Sequence, residues 1–306
     1  VAPGMRSYGR RPAVTNPNAC VISNICVSDL GGIAGGCGWT EGGSSEYVWR
    51  SGTSFAAPVV SGAAALVREW AGHRTTPPSQ PSSALLRAIL IASGRNLVPF
   101  RDAWGSCCEA PGNCWACEDM RPTPDQQQGW GGVSLDKLFR PPSNYFFHDQ
   151  ATTLTANGQN WTKSLTIGDP TQPIDVALVW TERPSQATLS DAANLLNDLD
   201  VRIRVTGTGG VTRVWYGNYY YDNRDAVGSA RTGYSVPSPG NTKRSELDRR
   251  NNVERINIEP ASLPAGATSL TVTVTAFGLT TNGLDPLGDA SLIQQDFSLF
   301  AVNARE

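Results

Sequence analysis

Ser54 stands between "SGT" and "FAAPVVSGAAAL", and this setting is where the sequence first points to chemistry. A serine hydroxyl attacks a carbonyl only if it is exposed, rigidly held and close to donors for the developing oxyanion. The first turn of a helix meets the last need: its backbone N–H groups have no intrahelical acceptor, and the helix dipole favours negative charge there. Gly52 lets another backbone approach closely. Pro58 is tolerated where no N–H is needed, which puts Ser54 at the helix start. The plainer alternative is that Ser54 caps an apolar helix and does nothing else. A nucleophilic serine also needs a base and an orienting carboxylate. The chain holds only two histidines, His73 and His148. A helix of about 17 residues at ~1.5 Å each puts His73 roughly 25 Å away at its far end. His148 lies in "YFFHDQ". Both read as surface or structural residues.

A second cluster of chemistry-bearing residues is "NLLNDLDVRIRV". Period-two alternation puts Leu199, Val201, Ile203 and Val205 on one face of a strand, and Asp198 and Asp200 on the other with Arg202 and Arg204. That face is either solvated, with its charges paired, or part of a calcium site. In the second case Asp248, Asn251, Asn252 or Glu254 from "ELDRRNNVE" would add oxygens, provided the two segments lie side by side. The seven cysteines fall in Gly- and Pro-rich stretches, four of them in "CCEAPGNCWAC". Disulfides in an oxidising compartment are the preferred reading. Zinc on the Cys114–Cys117 pair is the rival, though no second CxxC or His pair completes the pattern. "NWT" at Asn160 is an N-glycosylation sequon, in keeping with secretion.

These residues need elements to position them. The 306-residue length suggests about two domains. Residues 54–70 read as a helix that is apolar nearly all round, hence buried between layers. "PPSQPSSALLRAILIASGR" gives a second helix, capped by Ser82 or Ser83 and stopped at Gly94. "GWGGVSLDKLF" reads as a glycine turn and a short helix, and "RPPSN" as a hinge. Beyond it, "IDVALVW", "DVRIRVTG", "VTRVWYG", "RINIEP", "SLTVTVTAFG" and "FSLFAVN" alternate between turn residues, the pattern of an antiparallel sandwich or jelly roll. Domain limits of 1–140 and 145–306 follow. Lys and Arg (25) nearly balance Asp and Glu (27), with no basic stripe, so nucleic acid is not an expected partner. No uncharged apolar run reaches the ~20 residues that span a membrane.

"SGTSFAAPVVSGAAAL" resembles the serine motif of subtilisin-like proteases. "VAPG" resembles the strand and turn before that motif, and "GWGGVSLDK" the turn that ends the catalytic domain. "LLNDLDVRIRV", "YGN", "RRNNVERINI" and "DFSLFAVN" resemble the C-terminal barrel of the alkaline, oxidatively stable subtilases, akin to the domain after the catalytic unit in kexin and furin. The resemblance implies an α/β catalytic portion, with a parallel sheet and a buried Ser helix, followed by an all-β jelly roll. It implies a secreted serine endopeptidase acting on polypeptides through an acyl-enzyme on Ser54, with Gly52 and Thr53 bordering the substrate cleft. It also implies a structural calcium ion, for which Asp198, Asp200 and Asp248 are the candidates. The family's Asp, His and oxyanion Asn motifs lie upstream of its serine, so the chain reads as a C-terminal part needing an N-terminal fragment. The alternatives are a truncated sequence of such an enzyme, or an inactive remnant whose jelly roll binds protein or glycan. The aromatics of "VWYGNYYYDN" motivate that last reading.

Overall fold

The structure is a computed structural model. It describes residues 7–10, 47–50, 53–74, 80–96, 123–124, 128–139, 144–182, 195–220, 233–238, 247–285 and 292–306. The seven cysteines, Gly52 and the "VAPG" segment lie outside them. Residues 63–306 form one compact unit and residues 2–62 another. In the smaller unit, β1 (Ser7–Arg10) and β2 (Tyr47–Arg50) pair antiparallel.

The larger unit is built on two antiparallel sheets. Its strands are β3 (Tyr145–Leu154), β4 (Asn160–Ile167), β5 (Ile174–Val179), β6 (Asn197–Thr206), β7 (Thr212–Tyr216), β8 (Val253–Ile258), β9 (Ser269–Leu279), β10 (Gln295–Val302) and the short β11 (Ala304–Arg305). One sheet runs β3-β10-β5-β8 and the other β11-β4-β9-β6-β7. Both are open, so no closed barrel is seen among the described residues. Alternation sorts the side chains. Val201, Ile203 and Val205 of β6 face Leu270, Val272 and Val274 of β9 and the inner face of the other sheet. Trp180 is fully buried in this core, and its indole N–H donates to the Asn197 carbonyl at 2.9 Å.

The other face of the four-stranded sheet carries helices. Helix α2 (Ser83–Ser93) buries Ala84, Leu85, Ala88, Ile89 and Ala92 against Ala177, Val179, Val253 and Phe300. Its start is fixed by Ser82, whose hydroxyl accepts from the Leu85 N–H, and its end by Gly94. With both faces covered, all six residues of β5 are buried, Ile174, Val176 and Leu178 towards the sandwich and Asp175, Ala177 and Val179 towards the helices. The glycine turn before α3 (Asp136–Phe139) has φ +102° at Gly131, where a Cβ would also collide with the Arg95 backbone.

Two expectations need correction. No parallel sheet is present among the described residues: every pairing between their strands is antiparallel. The serine helix, α1 (Thr53–Gly72), is not buried along its length. Only Val67, Trp70 and Ala71 are buried, while Phe55, Val59 and Leu66 are exposed. The apolar pattern foretold a neighbour on every side, but among the described residues only the last turns have one, formed by α2 and the sheet.

Candidate active site

Thr53 and Ser54 are the first two residues of α1, and both are exposed. The N–H groups of this first turn have no intrahelical acceptor and point out of the helix end, where the dipole is positive. Pro58 is the sixth residue of the helix rather than part of its first turn. Its ring nitrogen cannot donate to the Ser54 carbonyl four residues back, so that carbonyl too lacks its helical partner. The Ser61 hydroxyl donates to the Ala57 carbonyl at 3.1 Å, beside the same break. The helix thus starts with an exposed hydroxyl among backbone N–H groups that have no intrahelical acceptor, an arrangement able to receive a developing oxyanion.

The two histidines are placed otherwise. His73 follows the C-terminal end of α1 in a turn, its N–H donating to the Glu69 carbonyl. His148, on β3, is stacked on the Phe297 ring and tilted against that of Trp161, with centroids 4.9 Å and 4.7 Å away, and its Nε2 is buried without a partner. Burial holds the imidazole below its ordinary pKa, against the raising effect of Asp149. It is a packing residue.

The second candidate set does come together. The segment after Leu247 lies alongside β6, and Arg249 reaches both aspartates. Its Nη1 donates to Asp200 Oδ1 at 2.6 Å and to both Asp198 oxygens at 3.1 Å, while its guanidinium lies 3.7 Å from the centre of the Phe277 ring. Asp248 instead accepts from the Asn218 and Asn251 amides, at 2.6 and 2.7 Å. Glu254 is buried and accepts from the Val201 N–H at 2.5 Å. Burial drives its carboxyl well above the usual range, and the Asp200 charge adds to this. Asp198 is pushed up to about 6, chiefly by burial, with Arg249 pulling the other way. A calcium shell would have to stand where the guanidinium stands. Among the described residues no three His, Cys, Asp or Glu side chains are grouped to hold a metal, so the set as placed does not fit the ion.

Sequence reasoning missed a third cluster. On the helix-covered face, Arg255 is 2% exposed and places Nη2 and Nε 2.7 and 3.1 Å from Asp175 Oδ1. Lys137 Nζ, from α3, lies 2.6 Å from Asp175 Oδ2. The only signal was charge inside two apolar strands, Asp175 in "IDVALV" and Glu254 and Arg255 in "VERINI". Of the aromatics that suggested a binding module, Trp215 is fully buried in the sandwich core, Tyr216, Tyr219 and Tyr220 are half-buried, and Tyr221 lies outside the described residues.

Residues 35–131 match the Subtilase family. This subtilase segment contains Ser54 and both principal helices, and the antiparallel sheets follow it in the chain. The family is one of serine peptidases, whose substrates are peptides. No curated protein matches the chain at a significant level. Among the described residues no helix is long and apolar enough to cross a membrane.

Proposed function

We propose that the chain is the serine-bearing part of a secreted serine endopeptidase, of the subtilase branch whose catalytic domain is followed by a jelly roll. The observation that carries this reading is Ser54 itself, an exposed hydroxyl in the first turn of a helix within the segment that matches the family. Ser54 Oγ would attack the scissile carbonyl, its proton passing to a histidine and then to the leaving amine. The Ser54 N–H would donate to the oxyanion, and Gly52 and Thr53 would border the bound peptide. Neither His73 nor His148 suits the role of base, so the histidine, its aspartate and the oxyanion asparagine are assigned to an N-terminal segment of the same protease. A structural calcium ion, implied by the resemblance, would need oxygen donors other than the Asp198–Asp200 pair as Arg249 holds it.

Fluorophosphonate labelling tests the proposal. With the N-terminal segment present, the reagent should label the chain, and Ser54→Ala should abolish both labelling and peptide hydrolysis. Equal labelling of the Ser54→Ala variant, or none of the wild type, would overturn it.

A further inference from the structure

The outer face of the five-stranded sheet, turned away from the core, has a composition that nothing in the peptidase reading uses. Strand registers set its side chains in rows. One row runs Thr162, Thr273, Arg202 and Tyr216 across β4, β9, β6 and β7. The next runs Ser164, Thr271, Arg204 and Val214 across the same strands. Beyond it, Thr166 pairs with Ser269, and Thr206 with Thr212. Four strands ~4.8 Å apart make this face roughly 14 Å across.

Two properties limit what could lie on it. The face is not apolar, so it does not call for a hydrophobic partner. Its hydroxyls already exchange hydrogen bonds between strands, Thr206 with Thr212 at 2.9 Å and Thr162 with Thr273 at 3.4 Å. Thr273 is buried, but the exposed hydroxyls of Thr162, Ser164, Thr166, Thr206, Thr212 and Ser269 can still accept or donate outward, because a hydroxyl carries one donor and two acceptor sites. The charge is one-sided. Arg202 and Arg204 are exposed and lie about 7 Å apart on one strand. The nearest carboxylate on their face, Asp200, is engaged by Arg249. A guanidinium fork matches a carboxylate in bidentate fashion.

We propose that this face binds an acidic polysaccharide of the polyuronate class. Sugar hydroxyls would lie on the serine and threonine rows, and successive uronate carboxylates on Arg202 and Arg204. A peptide is the less suitable occupant, because the rows present mainly hydroxyls and guanidinium groups rather than apolar side chains. The inference does not rest on the peptidase reading, since retention on a polymer needs no catalysis.

The test uses the full chain with Ser54→Ala, passed over immobilised polygalacturonate, a neutral glucan and polyglutamate at low and high ionic strength. The chain should be retained on polygalacturonate, weakly or not at all on the glucan, and released by salt, as exposed charges require. Arg202→Ala combined with Arg204→Ala should weaken retention by about tenfold or more, the loss expected of two charge-assisted contacts, with the circular dichroism spectrum unchanged. No retention of the parent chain, equal retention of the double variant, or polyglutamate binding as tight as polygalacturonate would each overturn the proposal.

Discussion

Arg249 holds two carboxylates at once, and that gives the residue scale its clearest consequences. Asp198 has a folded-state pKa of about 6 against an ordinary 3.8. The folded chain therefore keeps a proton that the unfolded chain has released. The stability this contributes is fully present below the lower value and is lost as pH rises through the upper one. Urea midpoints of the wild type should fall across that window, and Asp198→Asn should flatten the slope. Arg249→Ala should cost a few kcal/mol near neutral pH, because it leaves Asp198 and Asp200 partly buried without their counter-charge. Adding Asp198→Asn should restore part of the loss in the same denaturation. The sequence showed that these segments could meet, since alternation put both aspartates on one strand face. It did not show that an arginine would stand between them, because "DRRNN" lies in a loop whose path no periodicity fixes.

At the scale of elements, the two long helices differ in how far their sequences foretold their surroundings. Helix α2 was legible at both ends, since Ser82 and Gly94 act locally on its first and last turns. Burial of α1 was not, because an apolar pattern states a preference for neighbours without supplying them. Stability should follow the packing. Leu85→Ala in α2 should cost about 2–5 kcal/mol in chemical denaturation. Leu66→Ser in α1, at a site 54% exposed, should stay within about 0.5 kcal/mol. Ser82→Ala should cost about 1 kcal/mol for the lost cap, and more because Asp149 also accepts from that hydroxyl. The strands from β5 to β10 were legible from alternation. Strands β3 and β4 were not singled out, since "YFFHDQATTL" and "NWTKSLTI" carry polar or charged side chains on both faces.

Across the whole larger unit, the Asp175 cluster ties the helical layer to the sandwich. Lys137 comes from α3, Asp175 from β5 and Arg255 from β8. Asp175→Asn should cost about 3–5 kcal/mol, the range for a buried cation left without its partner, read as a lower melting temperature. The antiparallel sandwich was legible from its strands. The parallel sheet was foretold only by resemblance, and no strand pairing among the described residues supplies it. Strand β5 lies beneath helices on one face and a second sheet on the other, with hydrogen-bonded neighbours at both edges. No local fraying can bring its amides to solvent. In heavy water they should be the last to exchange deuterium, at a rate set by global opening. Amides of α2 that exchange at that same rate would mark helix and sandwich as one cooperative unit. Faster exchange in α2 would mean that the helical layer peels away first, with the sandwich still folded beneath it.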